Sequence, residues 1–319
     1  MNFPVLDLHC DTALSLLREE GGVRRSLRRN TGHIDLARGS KIGGYAQCFA
    51  CFTHPFDTRP HPMGWTPEMM FEKELAVLRE QFSACSDLLR PARNAEELRR
   101  NREEGFISGV LTIEGTAGIG YDAGRLEELR REGFCVVSLT WNEKNPLAGS
   151  HVTGGGLTER GREFVKEAQR VGMIVDVSHI SDEAFWDIMD VTEGPVVATH
   201  SNSRSVFPVS RNLTDDMFRA ICSTGGVAGF NQYASFVGEP ATLDAACRHI
   251  LHFLELDPDG KHIALGGDLD GCDVLPEGFE GVQHYPRFAQ ALLDRGAGET
   301  TVADIFWNNA FGVMEQCSM

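Results

Sequence analysis

The segment Val5-Leu6-Asp7-Leu8-His9-Cys10-Asp11 is a short apolar run that ends in a histidine and an aspartate two positions apart. Side chains on a strand repeat every second residue, so His9 and Asp11 are expected to project the same way. The same design recurs along the chain. Short apolar runs rich in β-branched residues cover 5–9, 45–52, 109–114, 135–141, 173–179, 196–200, 226–231 and 263–268. Amphipathic stretches over 68–84, 123–132, 158–171, 182–190 and 215–223 separate several of them, the first preceded by Thr66-Pro67 as a cap and first-turn pair. Eight strands alternating with helices predict a parallel sheet with crossover connections, and eight is the number that closes a barrel. Most of the runs are continuously apolar, as strands covered on both faces are. No internal repeat or linker interrupts the pattern. The expectation is therefore an α/β protein, a single (β/α)8 TIM barrel over residues 1–319, with its metal site at the C-terminal ends of the strands.

Bulk properties fit this and exclude other classes. A chain of 319 residues is long enough to bury a large core without disulfides or a structural metal. A formal charge of -16 excludes a nucleic-acid partner, which needs clustered Lys and Arg. The basic cluster at 18–29 is interrupted by Glu19 and Glu20 and reads as a solvated face. No apolar stretch is long enough to span a bilayer, and Met1-Asn2-Phe3-Pro4 leads into the first strand without a leader, so a cytoplasmic protein with no membrane partner is expected. The nine cysteines then read as reduced thiols. Cys48-Phe49-Ala50-Cys51 has a C-x-x-C spacing but lacks the second pair of a zinc site, and it is read as structural. The Pro- and His-rich stretch 53–65 is the candidate mobile loop over the site.

Catalytic groups of this fold stand at the carboxyl ends of its strands. Here the first strand ends in His9-Cys10-Asp11, the third in Glu114, the fifth in Asp176-Val177-Ser178-His179, the sixth in Thr199-His200-Ser201 and the eighth in Gly267-Asp268-Leu269-Asp270-Gly271. A lone strand-end His is commonly a hydrogen-bonded structural residue, and a lone Asp a helix cap. The conjunction of five strands presenting metal-competent groups at one rim is what carries the reading. Imidazole and carboxylate together suit zinc or a similar first-row divalent ion.

These motifs resemble those of the membrane (renal) dipeptidases, a branch of the amidohydrolase superfamily. The resemblance runs through Asp7-Leu8-His9-Cys10-Asp11-Thr12, Ile113-Glu114-Gly115, Gly156-Leu157-Thr158, Asp176-Val177-Ser178-His179, Thr199-His200-Ser201-Asn202, Arg211-Asn212-Leu213 and Gly267-Asp268-Leu269-Asp270-Gly271. It implies two zinc ions, one held by His9 and Asp11, the other by His179 and His200, with Glu114 bridging them. A hydroxide between the ions would be the nucleophile, because a bound divalent ion lowers the pKa of water from 15.7 to about 7. Asp268 would orient it and pass its proton to the leaving amine; Asp270 has the same facing but lies further out. Arg211 would receive the substrate's terminal carboxylate, a task suited to a guanidinium fork, with Asn212 beside it. The substrates implied are dipeptides, often with a D-residue at the carboxyl position, and a homodimer is the default assembly.

The fourth strand departs from that pattern. Dipeptidases of the family carry a His after Leu-Thr that steadies the scissile carbonyl, whereas this chain has Leu139-Thr140-Trp141-Asn142. Tryptophan is a donor through its indole N–H only and does not titrate. Loss of an oxyanion-type donor costs ~10²–10³ in rate. His151, ten residues on, is the candidate replacement in the substrate site, and Trp141 would pack against a substrate side chain or cover the site. Two other readings follow from this departure: an amidohydrolase acting on N-acyl amino acids or lactams, and a metal-binding protein of low activity.

Overall fold

The computed structural model describes residues 3–20, 22–55 and 64–316. Eight parallel strands carry the fold: β1 (Val5–Cys10), β2 (Tyr45–Phe52), β3 (Ile107–Glu114), β4 (Phe134–Ser138), β5 (Ile174–Asp176), β6 (Val196–Val197), β7 (Ala228–Phe230) and β8 (Ile263–Leu265). The ladder runs β7-β8-β1-β2-β3-β4-β5-β6. Its two ends meet through the parallel bridge Ala198↔Ala228, with Ala198 N donating to Val227 O at 3.0 Å and Gly229 N to Ala198 O at 2.8 Å. The ring is thereby closed, as expected for a (β/α)8 barrel. A short extra strand, Leu89–Pro91, pairs with β3 on the outside.

Alternation along the strands separates two apolar layers. Leu6, Ala46, Cys48, Val110, Val136, Ile174, Val197 and Ala264 form one buried cluster, the barrel interior. Trp307, Ala310, Val313 and Met314 belong to the same cluster, so the C-terminal segment stoppers one end of the barrel. The intervening residues, among them Phe49, Cys51, Leu111, Ile113, Val137, Val175, Val196 and Leu265, pack in the second cluster with the helices. Cys48 and Cys51 thus lie in different layers, both fully buried, and their spacing is structural.

The helices begin where the sequence placed them, at side-chain caps. Thr66 accepts from Met69 N ahead of α1 (Pro67–Ala84), and Ser181 from Ala184 N ahead of α2 (Asp182–Met189). Each such cap contributes about 1 kcal/mol. Helices at Ala95–Glu103, Leu243–Leu256 and Tyr285–Leu293 complete the outer ring. Of the expected mobile loop at 53–65, residues 56–63 lie outside the described residues.

Several strands stop earlier than their apolar runs suggest. The run at 173–179 gives a strand only over Ile174–Asp176, and that at 135–141 only over Phe134–Ser138. The chain leaves the ladder there because side chains take over its backbone groups. Asp176 Oδ1 accepts from Ser178 N and Thr199 N, both at 2.9 Å, and His179 turns into the left-handed region at φ 68°. His179, His200 and Asp268 therefore stand on the turns just beyond their strands, whereas His9 and Glu114 lie within the last two residues of β1 and β3.

β1 carries a bulge that decides the direction of its ligands. Asp7 pairs with Gln47 but Cys10 with Phe49, so β1 holds one extra residue against β2. Leu8 and His9 both face inward as a result, while Cys10 packs outward. The Asp7 carboxylate, on the outer face, accepts from His9 N at 2.9 Å, from Gly267 N at 3.1 Å and from the Tyr285 hydroxyl. One buried carboxylate thus ties the bulge to the turn that carries Asp268.

Candidate active site

The turns at the open end of the barrel bring the five expected ligands together. Glu114, the last residue of β3, is 3% exposed and stands between two sets of groups. Its Oε2 lies 3.4 Å from His9 Nε2, and its Oε1 lies 2.9 Å from His179 Nε2 and 3.6 Å from His200 Nε2. His9 Nε2 is 3.9 Å from both Asp11 Oδ1 and Asp268 Oδ1. Three overlapping groups, His9/Asp11/Glu114, Glu114/His179/His200 and His9/His200/Asp268, each have their ligand atoms within 4.8 Å of one another. The rings of His9 and His200 stack with centroids 3.8 Å apart.

The donor atoms fit two cations. His9 Nε2, Asp11 Oδ1 and Glu114 Oε2 are buried and have no hydrogen-bond partner among the described residues, an arrangement that is costly in a folded protein unless a ligand satisfies it. His179 Nε2 and His200 Nε2 face each other at 2.9 Å, two nitrogens converging on one point. Their other ring nitrogens meet groups that can accept. Thr199 Oγ1 lies 2.7 Å from His200 Nδ1 and 2.6 Å from Asp176 Oδ2, and Asn142 Oδ1 lies 2.9 Å from His179 Nδ1.

The local field follows from this crowding. Burial opposes the charged form of His9, but the Glu114, Asp11 and Asp268 carboxylates overcome it and hold the imidazole up at about 10. Burial likewise opposes ionisation of Glu114, yet the charge of His9 and the three imidazoles around its oxygens bring its carboxyl well below the usual range. Burial and Arg211 push His179 down to about 3. Asp268 is raised to about 6, by burial first, with Glu114 adding to it and His9, Arg211 and the Asn231 amide opposing. Asn231 Nδ2 donates to Asp268 Oδ2 at 3.1 Å and holds it at φ 55°. The loop beyond Asp268 can approach because residue 271 is glycine: a Cβ there would collide with Asp11 Oδ2 and Asp268 Oδ1.

A cavity of 450 Å³ opens over these groups, within the range of small-ligand sites. Asp11, Glu114, His179 and Asp268 form its floor, and Phe52, Trp141, Tyr233 and Phe236 its aromatic walls. Trp141 packs edge-on against Phe52 with centroids 5.0 Å apart. Arg211, 4% exposed, stands in a side recess shared with His179, Ser201 and Asn212. It donates from Nη1 to Ser201 Oγ at 2.5 Å, while its Nε and Nη2 are buried without partners among the described residues. The Asn212 amide donates to Phe207 O and Phe236 O, bracing the loop behind the arginine. His151 stands one layer back from the cavity, with Nε2 2.9 Å from Asn142 Oδ1 and Nδ1 3.0 Å from Ser210 Oγ. A larger groove of 620 Å³ lies on the outside near Phe82, but its arginines pair with Glu97, Glu104 and Glu132 and it contains no ligand cluster.

Asn142, Asp176, Thr199 and Asn231 were given no role by the sequence reading. For Asn142, Asp176 and Thr199 the signal was adjacency, since each lies within or directly after a run that also carries a ligand or Trp141; Asn231 ends the run 226–231, which carries neither, and had no such signal.

The family model of the membrane dipeptidases (peptidase family M19) matches residues 1–319. An uncharacterized dipeptidase of Schizosaccharomyces pombe is 36% identical over 214 residues, 65% of this chain and 52% of that protein, so the match spans about half the length of that relative. A Klebsiella pneumoniae protein encoded in the pqqA 5′ region is 31% identical over 76% of this chain and 94% of its own. Among solved structures, a metallopeptidase of Rhodobacter sphaeroides liganded with a phosphinate mimic of the dipeptide L-Ala-D-Ala superposes with a TM-score of 0.88 at 26% identity, over 100% of both chains.

Proposed function

The chain belongs to the membrane dipeptidase family, peptidase family M19, and from that premise we propose that it is a two-metal dipeptidase. The observation that carries the reading is Arg211: a buried guanidinium with two unpartnered N–H edges, recessed beside a ligand cluster for two cations. Such an edge matches a carboxylate in bidentate geometry, and a dipeptide presents one a fixed distance from its scissile bond. On this reading His9 and Asp11 hold one cation, His179 and His200 the other, and Glu114 contacts both; the mixed imidazole–carboxylate set suits zinc. When bound, the two cations supply Lewis acidity for the scissile carbonyl and lower the pKa of water.

The remaining chemistry belongs to the chain. Asp268, raised to about 6, accepts a proton from the attacking water and delivers it to the leaving amine, a transfer favoured by a pKa near the working pH. Asn231 holds its Oδ2 so that Oδ1 faces the cluster. Asn212 steadies the Arg211 loop, and Trp141 offers an apolar wall and an indole N–H where dipeptidases of the family have a histidine. His151 reaches the substrate side through Asn142. The dipeptide mimic bound by the Rhodobacter sphaeroides neighbour supports a D-residue at the carboxyl position. Among the described residues the eight cysteines are free thiols, in keeping with the reducing, cytoplasmic site of action proposed for the protein; no helix among them is long and apolar enough to cross a membrane.

The test is hydrolysis of L-L, L-D and D-D dipeptides and of N-acyl amino acids by protein of measured zinc content. Cleavage of dipeptides dependent on two ions per chain is the expected result. Full metal occupancy with no hydrolysis of dipeptides refutes the proposal.

A further inference from the structure

His179 can ligate through Nε2 only if that nitrogen keeps its lone pair, and a neutral imidazole does so only if Nδ1 carries the proton and finds an acceptor. Among the described residues, His179 Nδ1 is hydrogen-bonded to Asn142 Oδ1, at 2.9 Å. The same oxygen lies 2.9 Å from His151 Nε2. A carbonyl oxygen has two lone pairs, so it can accept from both rings at once. The opposite assignment, with the Asn142 amide nitrogen donating to both rings, would place the proton of His179 on Nε2, facing Glu114 Oε1 and His200 Nε2, and would abolish the ligand. The donor set therefore decides the orientation of the amide.

The surroundings hold Asn142 in that place. Ser150 Oγ donates to its backbone carbonyl at 2.6 Å, and His151 N donates to the carbonyl of His179 at 2.9 Å. His151 Nδ1 meets Ser210 Oγ at 3.0 Å, and Ser210 precedes Arg211. One amide oxygen thus joins the turn after β4, the ligand turn after β5 and the loop that carries the arginine.

We propose that Asn142 is a positioning residue that fixes His179 in its metal-ligating tautomer and, through His151, couples that ligand to the Arg211 loop. His200 is held independently by Thr199 and Asp176, so removing Asn142 affects one cation site and leaves the other. The inference rests on His179 being a metal ligand.

The test titrates metal-free protein with Zn²⁺ against a chromophoric chelator, and with Co²⁺ followed by its visible absorption. Wild-type protein should take up two ions. Asn142→Leu should weaken one of the two sites by about 10–100-fold, the usual effect of losing an outer hydrogen-bond partner of a ligating histidine, and leave the other near its wild-type affinity. Asn142→Asp, whose carboxylate also accepts from both rings, should return the weakened site towards the wild-type value. Thermal unfolding of the metal-free variants separates positioning from folding, and Asn142→Ala serves if the leucine variant does not fold. Two ions bound by Asn142→Leu with wild-type affinity overturn the inference while leaving the ligand set standing. Equal weakening of both sites with a lowered metal-free Tm also overturns it, in favour of a structural role. Fewer than two ions on wild-type protein overturn the ligand assignment beneath it.

Discussion

Replacing Arg211 by methionine should separate catalysis from stability. The substitution keeps an unbranched apolar stem and removes the guanidinium and its charge. For a bound dipeptide it deletes two charge-assisted hydrogen bonds, from Nε and Nη2, each worth roughly 1.5–3 kcal/mol. A loss of about 3–6 kcal/mol corresponds to a fall in kcat/KM of ~10²–10⁴ at 1.36 kcal/mol per decade. The folded protein should respond in the opposite sense. Burial pushes the guanidinium down from its ordinary range to about 10, a bias against the charged form of roughly 3 kcal/mol. A base whose folded pKa is lowered disfavours folding at every pH below that value, so the cost is fully present at pH 7. Methionine relieves it and loses the bond to Ser201, worth about 1.5 kcal/mol, and the guanidinium's contact with the Phe236 ring. The assay compares kcat/KM on a dipeptide and on its C-terminal amide, alongside urea unfolding of the substrate-free protein. The amide lacks the anionic partner, so wild type and variant should differ little on it. A comparable loss on both substrates, or a stability fall of more than about 2 kcal/mol, would refute the reasoning.

Asp268→Asn should retain both cations but lower kcat by ~10²–10⁴, the range for removing a positioned acid–base, read by turnover at matched metal content. Thr199→Val breaks the link from His200 Nδ1 to Asp176, and zinc affinity should fall by about 10–100-fold in a chelator competition. Metal loading should release protons: His9, held at about 10 by its carboxylate neighbours against burial, is protonated at pH 8, and ligation requires its lone pair. Calorimetry in buffers of different ionisation enthalpy should therefore record at least one proton released per chain at pH 8, from His9 and from any water the cations ionise, and no buffer dependence would refute this.

Much of the molecule was legible as local pattern. Short apolar runs with intervening caps predicted the strand count, the closed parallel barrel and helices such as Pro67–Ala84, because continuous apolarity and side-chain caps act within a few residues. Ala95–Glu103 was not singled out, since its charged face leaves few apolar positions to mark a period. The metal-competent residues at strand ends were visible for the same local reason: a buried run that stops in His or Asp is conspicuous. The strand ends themselves were misplaced, because Asp176 and its neighbours replace ladder hydrogen bonds with side-chain ones, which apolarity does not record.

The sequence by itself thus determined the fold class, from period and composition, and marked His9, Asp11, Glu114, His179, His200 and Asp268 as candidates, from their places at strand ends and from the family resemblance. The tertiary structure alone decided their directions and partners. Strict alternation from Leu6 would turn His9 outward, and the bulge pinned by Asp7 turns it in. His151 reads in sequence as a free candidate donor, yet in the fold both of its ring nitrogens are engaged. Asn142 shows no signal of its own, and it meets His179 across 37 residues of chain. Such contacts depend on how separate strands are registered against one another, and register is a property of the closed sheet that no single segment carries.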